Sequence, residues 1–342
     1  MSMHYVKEVI SPEEIMSELP LSEKHKQLKA QRDAEIADVF TGKSDKFLAI
    51  IGPCSADNED AVCDYVSRLA KVQEKIADKV LIIPRIYTNK PRTTGEGYKG
   101  IVHQPDPEKE PDLHEGLIAV RKMHLRAIEE THLFAADEML YPENWPYVSD
   151  LLSYVAVGAR SVEDQQHRIT ISGVDIPCGM KNPTSGDFGV MLNSCIAAQM
   201  GHTFLYRGWE VKTDGNPLAH TILRGAVNKH GQTKPNYHYE DVMRLYQMYG
   251  EKSLVNPATI IDANHANSNK QYAEQPRIVA EIMHNRRICP ELSKFIKGVM
   301  VESYIEAGNQ KIEEHTYGKS ITDACIGWDT TERLLLEMAE QL

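Results

Sequence analysis

No uncharged apolar run in this 342-residue chain approaches the ~18 residues that cross a bilayer. Positive charge is also in short supply: 38 Lys and Arg stand against 49 Asp and Glu, a formal net charge of −11. A broad nucleic-acid-binding face is not expected on such a chain, although a local basic pocket is compatible with it. The six cysteines, at 54, 63, 178, 195, 289 and 325, form no C-x-x-C and do not suggest a small stapled secreted fold. Reduced thiols in the cytoplasm are the expectation. The first residues carry Lys7, Glu8, Glu13 and Glu14 and lack the apolar stretch of a secretory signal. Repeats and low-complexity tracts are absent, and 42% apolar with 25% charged residues is an ordinary globular balance.

Several familiar signatures also fail. Gly318-Lys319-Ser320 resembles the end of a P-loop, but Glu313 stands where the first glycine is required. Gly95-Glu96-Gly97-Tyr98-Lys99-Gly100 matches G-x-G-x-x-G, yet it sits in a long loop and opens no helix, the wrong context for a dinucleotide fingerprint. A flexible substrate loop is the better account. Neither G-x-S-x-G nor H-E-x-x-H occurs.

The dominant pattern is a rhythm of eight short apolar runs: Phe47–Ile51, Val80–Ile83, Leu133–Ala136, Tyr154–Val157, Ile176–Met180, Thr203–Tyr206, Ala258–Ile261 and Gly298–Val301. Each is short and nearly continuous, as strands buried on both faces of a parallel sheet are. Helical patterns lie between them, which predicts an α/β architecture. Residues 12–40 are charged and helix-prone and read as an N-terminal arm that packs on something else. The division expected is an arm over 1–45 and a catalytic barrel over 46–342. Two connections are long. Thr88–Asp112 is rich in Gly, Pro and charge, the profile of a functional loop. Arg207–Thr221 reads as a hairpin excursion around Asp214-Gly215, returning to Ile222-Leu223-Arg224-Gly225.

Every run stops at or near a polar or ionisable residue: Cys54, Arg85, Glu138, Arg160, Lys181, Arg207, His265 and Glu302 in chain order. An active site on the C-terminal rim of a (β/α)8 barrel gives that pattern. A doubly wound open sheet also binds ligands there, but a count of eight favours the closed barrel, with a short inserted hairpin after strand six. One set at the run ends is cationic: Arg85, Lys90, Arg92, Lys99, Arg160, Lys181, Arg207 and Arg224. Arginine forks match carboxylate and phosphate, so the set suits small phosphorylated, carboxylated substrates. Any one of them could equally serve a salt bridge; a shared structural role for all is less economical. A second set, Cys54, His265, Glu302 and Asp323, mixes sulfur, nitrogen and oxygen donors. That mixture suits Mn, Fe, Co or Zn better than Ca or Mg, although a lone cysteine or histidine at a strand end is more often structural.

At these residues the chain resembles a known family. IGPCS (51–55), PRIYTNKPRTTGEGYKG (84–100), VGAR (157–160), GMKN (179–182), ILRGA (222–226), DANHANS (262–268), VMVES (299–303) and YGKSITDACIGW (317–328) look like the type I 3-deoxy-D-arabino-heptulosonate 7-phosphate (DAHP) synthases. The resemblance runs from about residue 20 to the end. It implies a TIM barrel with an N-terminal helical extension. It also implies a metal-dependent transferase that condenses phosphoenolpyruvate (PEP) with erythrose 4-phosphate, the entry to the shikimate pathway of aromatic amino acid biosynthesis. Cys54, His265, Glu302 and Asp323 match the family's metal ligands. Arg85, Lys90, Glu138, Arg160, Lys181 and Arg224 match its PEP site, and Arg92 and Thr93 its aldose-phosphate site. Lys90, His265 and Cys54 are the candidates for catalytic roles, and Lys99 is carried as a further substrate contact. A homodimer or homotetramer is implied, with no nucleic-acid or membrane partner. The alternatives are a related PEP–aldose-phosphate synthase with another acceptor, or a silent homologue that senses PEP or aromatic metabolites. The excursion before ILRG looks shorter than in feedback-regulated members, and Pro183-Thr184-Ser185 departs from their Gly-Thr.

Overall fold

A computed structural model describes residues 2–342. Eight parallel strands make the centre: β1 Phe47–Gly52, β2 Val80–Pro84, β3 Ala135–Glu138, β4 Leu152–Val157, β5 Cys178–Lys181, β6 Ala219–Leu223, β7 Thr259–Asp262 and β8 Ile296–Glu302. The hydrogen-bonded order is β2-β1-β8-β7-β6-β5-β4-β3, so each strand lies beside its neighbours in sequence. A parallel bridge between Arg85 and Ala136 joins β2 to β3 and closes the ring. This is the (β/α)8 barrel expected from the count of runs.

Alternation along the strands sorts the apolar residues into two layers. Leu48, Ile50, Leu81, Ile83, Tyr154, Ala156, Ile222, Ile260 and Met300 fill the barrel interior. Phe47, Ala49, Ile51, Val80, Ile82, Val155, Val157, Val299 and Val301 face outward against the helices. Those helices are α3 Glu59–Ile76, α4 Leu113–Thr131, α5 Gln165–Ile171, α6 Phe188–Gln199, α7 Tyr239–Gly250, α8 Gln275–Ile288, α9 Pro290–Phe295 and α10 Trp328–Glu340. Start signals are chemical: the side chains of Asn58, Asp112, Asp164 and Asp187 each accept an N–H from the first turn of the helix they cap. Asp112 thus lies at a helix cap and also holds Lys7 at 2.7 Å, so the acidic Asp106–Asp112 stretch is more than a solvated loop.

The arm consists of α1 Pro12–Glu18 and α2 Glu23–Thr41. Near its end α2 presents Ile36, Val39 and Phe40 to the interior cluster. Phe40 sits 4.2 Å, centroid to centroid, from His220 at the start of β6. The helix therefore plugs the N-terminal mouth of the barrel and leaves the C-terminal mouth for chemistry.

Contrary to expectation, Thr203–Tyr206 is not a barrel strand. It pairs antiparallel with Trp209–Lys212 in a separate hairpin, and Leu205 and Trp209 are 75% and 74% exposed. The hairpin thus precedes strand six rather than coming after it. Its turn is Arg207-Gly208, both left-handed (φ 49° and 81°), the backbone a tight two-residue hairpin requires. Strand six is Ala219–Leu223, whose polar His220 and Thr221 are paired with the Tyr154 hydroxyl at 2.8 Å and the Ala258 carbonyl at 3.0 Å. Between β3 and β4 a 3-10 turn covers Pro142–Tyr147, and β4 begins at Leu152.

Because Phe40 seals the base, Phe40→Ala is expected to cost about 3–5 kcal/mol of unfolding free energy, read by urea denaturation. A loss below about 1 kcal/mol would show that α2 merely rests on the barrel.

Candidate active site

The C-terminal rim is built from the residues just past the end of each strand. After β1 the chain turns through Gly52-Pro53 to Cys54. A Cβ on Gly52 would lie 2.2 Å from the Arg85 carbonyl oxygen, so only glycine lets β1 and the end of β2 approach this closely. Cys54 is buried, and its Sγ lies 3.5 Å from Asp323 Oδ2. Glu302, the last residue of β8, is 0% exposed. The side-chain amide of Gln275, on α8, accepts from its N–H at 2.8 Å and donates to its carbonyl at 2.9 Å, fixing the backbone. Asn264 donates to its carboxylate. Asp323 comes from the long connection after β8, which bridges Ser303–Ile326 and Gly308–Cys325 hold down.

One donor atom each from Cys54, Glu302 and Asp323 lie within 4.8 Å of one another. His265, left-handed at φ 48°, stands beside them with Nε2 3.8 Å from Glu302 Oε1 and Nδ1 2.8 Å from Asp262 Oδ2. The fit to a divalent metal rests on these observations. The donor set is a thiol, an imidazole and two carboxylates, and the buried Glu302 Oε1 faces Arg85 Nη2 at 2.9 Å as an ion pair without an aligned hydrogen bond. A buried carboxylate orients the imidazole, as metal-bound histidines require.

Cations surround this cluster. Lys90 Nζ lies 2.8 Å from both Cys54 Sγ and Asp323 Oδ2. Arg85, 2% exposed, reaches Glu302 Oε1 at 2.9 Å, donates to the Cys54 carbonyl at 3.2 Å, and lies 3.8 Å from the Tyr87 ring centre. Lys181 meets Glu138 at 3.0 Å and Asp262 at 3.9 Å. Burial raises carboxyl pKa values, but here the cations win. Arg85 and His265 hold Glu302 below the usual range, Lys90 holds Asp323 well below it, and His265 and Lys181 do so for Asp262. Burial, reinforced by Glu302, pushes the Cys54 thiol up.

The cations are not fully spent on these partners. Arg85 Nε and Nη1 and Arg224 Nη1 are buried donors with no acceptor, an arrangement that calls for an anion. They open into a cleft of about 270 Å³, lined also by Lys90, Arg92, Thr93, Glu138, Arg160, Lys181, His265 and Asp323. Arg160 is exposed at its mouth. Two expected cations lie elsewhere. The carbonyl of Lys99 accepts from the Lys90 N–H at 2.9 Å, but its side chain is not among the cleft lining. Arg207 is on the hairpin turn and pairs with Glu13 at 2.9 Å. Residue type and spacing pointed to no role for Asp262, Asn264, Tyr87, Lys270 or Gln275. Asp262 and Asn264 stand in DANHANS, but nothing local marks Gln275, which reaches Glu302 from another element.

Asp137, beside Glu138 at the end of β3, is buried and accepts from the Thr88 N–H at 2.9 Å and from its hydroxyl. Burial lifts its carboxyl to about 7. The folded state then binds a proton that the unfolded chain releases near pH 4, so this group makes stability fall as pH rises between those values. Asp137→Asn is expected to flatten the fall in unfolding free energy between about pH 4 and 7; an unchanged pH slope would refute the assignment.

The chain is similar to known proteins along nearly its whole length. A model of the DAHP synthetase I family matches residues 18–336. Phospho-2-dehydro-3-deoxyheptonate aldolase of Haemophilus influenzae is 38% identical, across 98% of this chain and 92% of that protein. The Phe-sensitive enzyme of that name from Escherichia coli is 36% identical across 98% and 94%. The solved structure of the Francisella tularensis phospho-2-dehydro-3-deoxyheptonate aldolase superposes with a TM-score of 0.91 at 31% identity, covering 99% of this chain and 98% of that one. With the barrel, the donor cluster and the cationic cleft in the same chain, this protein belongs to the DAHP synthetase I family.

Proposed function

We propose that the chain is a 3-deoxy-7-phosphoheptulonate synthase. It would join PEP, erythrose 4-phosphate and water into 3-deoxy-D-arabino-heptulosonate 7-phosphate and phosphate, the first step of aromatic amino acid biosynthesis. The observation that carries this reading is the meeting, in one cleft, of unpartnered buried guanidinium donors with Cys54 and Asp323, which cluster with the buried Glu302. The identity of the relatives supports it.

The two substrates are both anions and repel each other in water. Arg160, Lys181 and Arg224 would take the PEP phosphate, and Arg85 and Lys90 its carboxylate, with Arg92 and Thr93 receiving the aldose phosphate. Holding both in one cationic pocket converts repulsion into proximity. PEP C3 then attacks the aldehyde carbon, and the double-bond electrons form the new C–C bond. Water adds at the electron-poor C2, and the resulting hemiketal phosphate collapses with C–O cleavage to release phosphate. Cys54, His265, Glu302 and Asp323 would hold a divalent ion, Mn, Fe, Co or Zn, which supplies Lewis-acid polarisation of the aldehyde oxygen when bound. Lys90, 2.8 Å from two of those donors, would move protons at the aldehyde oxygen, with His265 the other candidate. The barrel over 46–342 would contain all the chemistry. Among the described residues, no helix is long and apolar enough to cross a membrane. A homodimer or homotetramer in the cytoplasm is the assembly we favour; Tyr5, Val6, Leu205 and Trp209 are apolar side chains left at least 74% exposed, as contact surfaces leave them.

Phosphate release from PEP and erythrose 4-phosphate, with and without Mn2+, tests the reading. Release is expected only with metal present; equal release after chelation, or release with a longer aldose phosphate alone, would overturn it. Cys54→Ala should abolish most metal-dependent turnover. Arg224→Gln should lower kcat/KM for PEP by about a hundredfold, the loss of a buried charged donor, while leaving KM for the aldose phosphate nearly unchanged.

A further inference from the structure

A second concentration of positive charge lies at the opposite mouth of the barrel. Lys46 precedes β1, Lys79 precedes β2 and Lys297 is near the start of β8, while Arg286 and Arg287 are in the last turn of α8 and Lys294 is on α9. All six line one cleft of about 740 Å³. Among the described residues, none of the six has a carboxylate oxygen within 4.0 Å. Other cations, such as Lys75, Arg126 and Arg277, each hold a carboxylate; here six without one share a single cleft, in a chain with 11 more acidic than basic side chains. Asp45 and Asp78, on the same lining, are exposed; Asp45 attracts Arg286 and Lys297 through space but pairs with neither.

Arg286 is the buried member, 9% exposed. Its guanidinium lies 4.4 Å from the Phe47 ring centre, and Nη2 donates to the Ser293 carbonyl at 3.1 Å. Its Nε is buried with no acceptor at all. Burial lowers Arg286 to about 10, and burial together with the nearby Arg286 lowers Lys297. Both groups are thus held charged at a cost that an entering anion would relieve.

We propose that this cleft binds a small, multiply charged, phosphate-bearing anion, at a site separate from the active-site cleft. Its concavity and volume suit a small molecule. The overall negative charge disfavours an extended polyanion at long range. An arginine fork beside several lysine point charges matches a tetrahedral oxyanion with many acceptors.

Inorganic pyrophosphate titrated calorimetrically into the full chain provides the test. Two sites are expected: one lost in Arg224→Gln, the other retained there. Lys297→Gln, and separately the exposed Lys294→Gln, should each weaken the second site by about tenfold, the worth of one charged hydrogen bond, without changing the first. Turnover of PEP should be unchanged in both lysine variants. A single site that Arg224→Gln abolishes would overturn the proposal. So would a second site indifferent to both lysine changes, or binding of RNA or anionic vesicles with none of pyrophosphate.

Discussion

The buried pairing of Arg85 with Glu302 is the interaction on which the rest depends. Arg85 is the residue whose backbone bridges to Ala136 and closes the barrel, and Glu302 ends the strand on the other side of β1. One ion pair therefore ties the seam of the fold to the chemical centre. Both ions are withdrawn from water, which alone costs several kcal/mol for each. The Cys54 carbonyl, the Tyr87 ring and Asn264 offset part of that cost. Nε and Nη1 of Arg85 remain without acceptors. The same residue is thus structurally anchored and chemically unsatisfied, the condition for binding an anion without rearrangement.

Charge is distributed by the architecture in a way that composition hides. The chain is acidic overall, yet both mouths of the barrel collect cations. At the C-terminal mouth buried carboxylates face them and fix their positions. At the N-terminal mouth no described acidic group approaches within ion-pair distance. Between the two, Ile36, Val39 and Phe40 belong to the packed apolar cluster that fills the interior, so buried side chains separate the two charged regions.

Legibility in the sequence tracked burial. Runs such as Phe47–Ile51 and Val80–Ile83 are apolar on both faces because both faces are covered, and such runs can be read without coordinates. The sixth strand failed that test. TFLY looks like a core strand but lies on an exposed hairpin, while AHTIL hides its His and Thr by hydrogen bonds to Tyr154 and Ala258. An apolar run announces β-propensity, not depth, and a polar residue can be buried when a distant partner satisfies it. Arg207 went with the misplaced strand out of the site for the same reason. The donor set was suggested by residue type and became firm only through whole-motif resemblance, because Cys54 stands far from His265, Glu302 and Asp323 along the chain.

By itself the sequence determined the strand-and-helix alternation, the polar residues that end each run, the donor chemistry available to a metal and the family to which the chain belongs. The first three are local properties, set by composition and short-range pattern; the family rests on resemblance of motifs spread along nearly the whole chain. Tertiary structure alone decided which cations are paired, which N–H groups are left unsatisfied, that Gln275 locks Glu302, and that six basic residues from separate regions of the chain share one cleft. The reason is physical: pairing and desolvation depend on distance through space, which barrel closure sets and spacing along the chain does not.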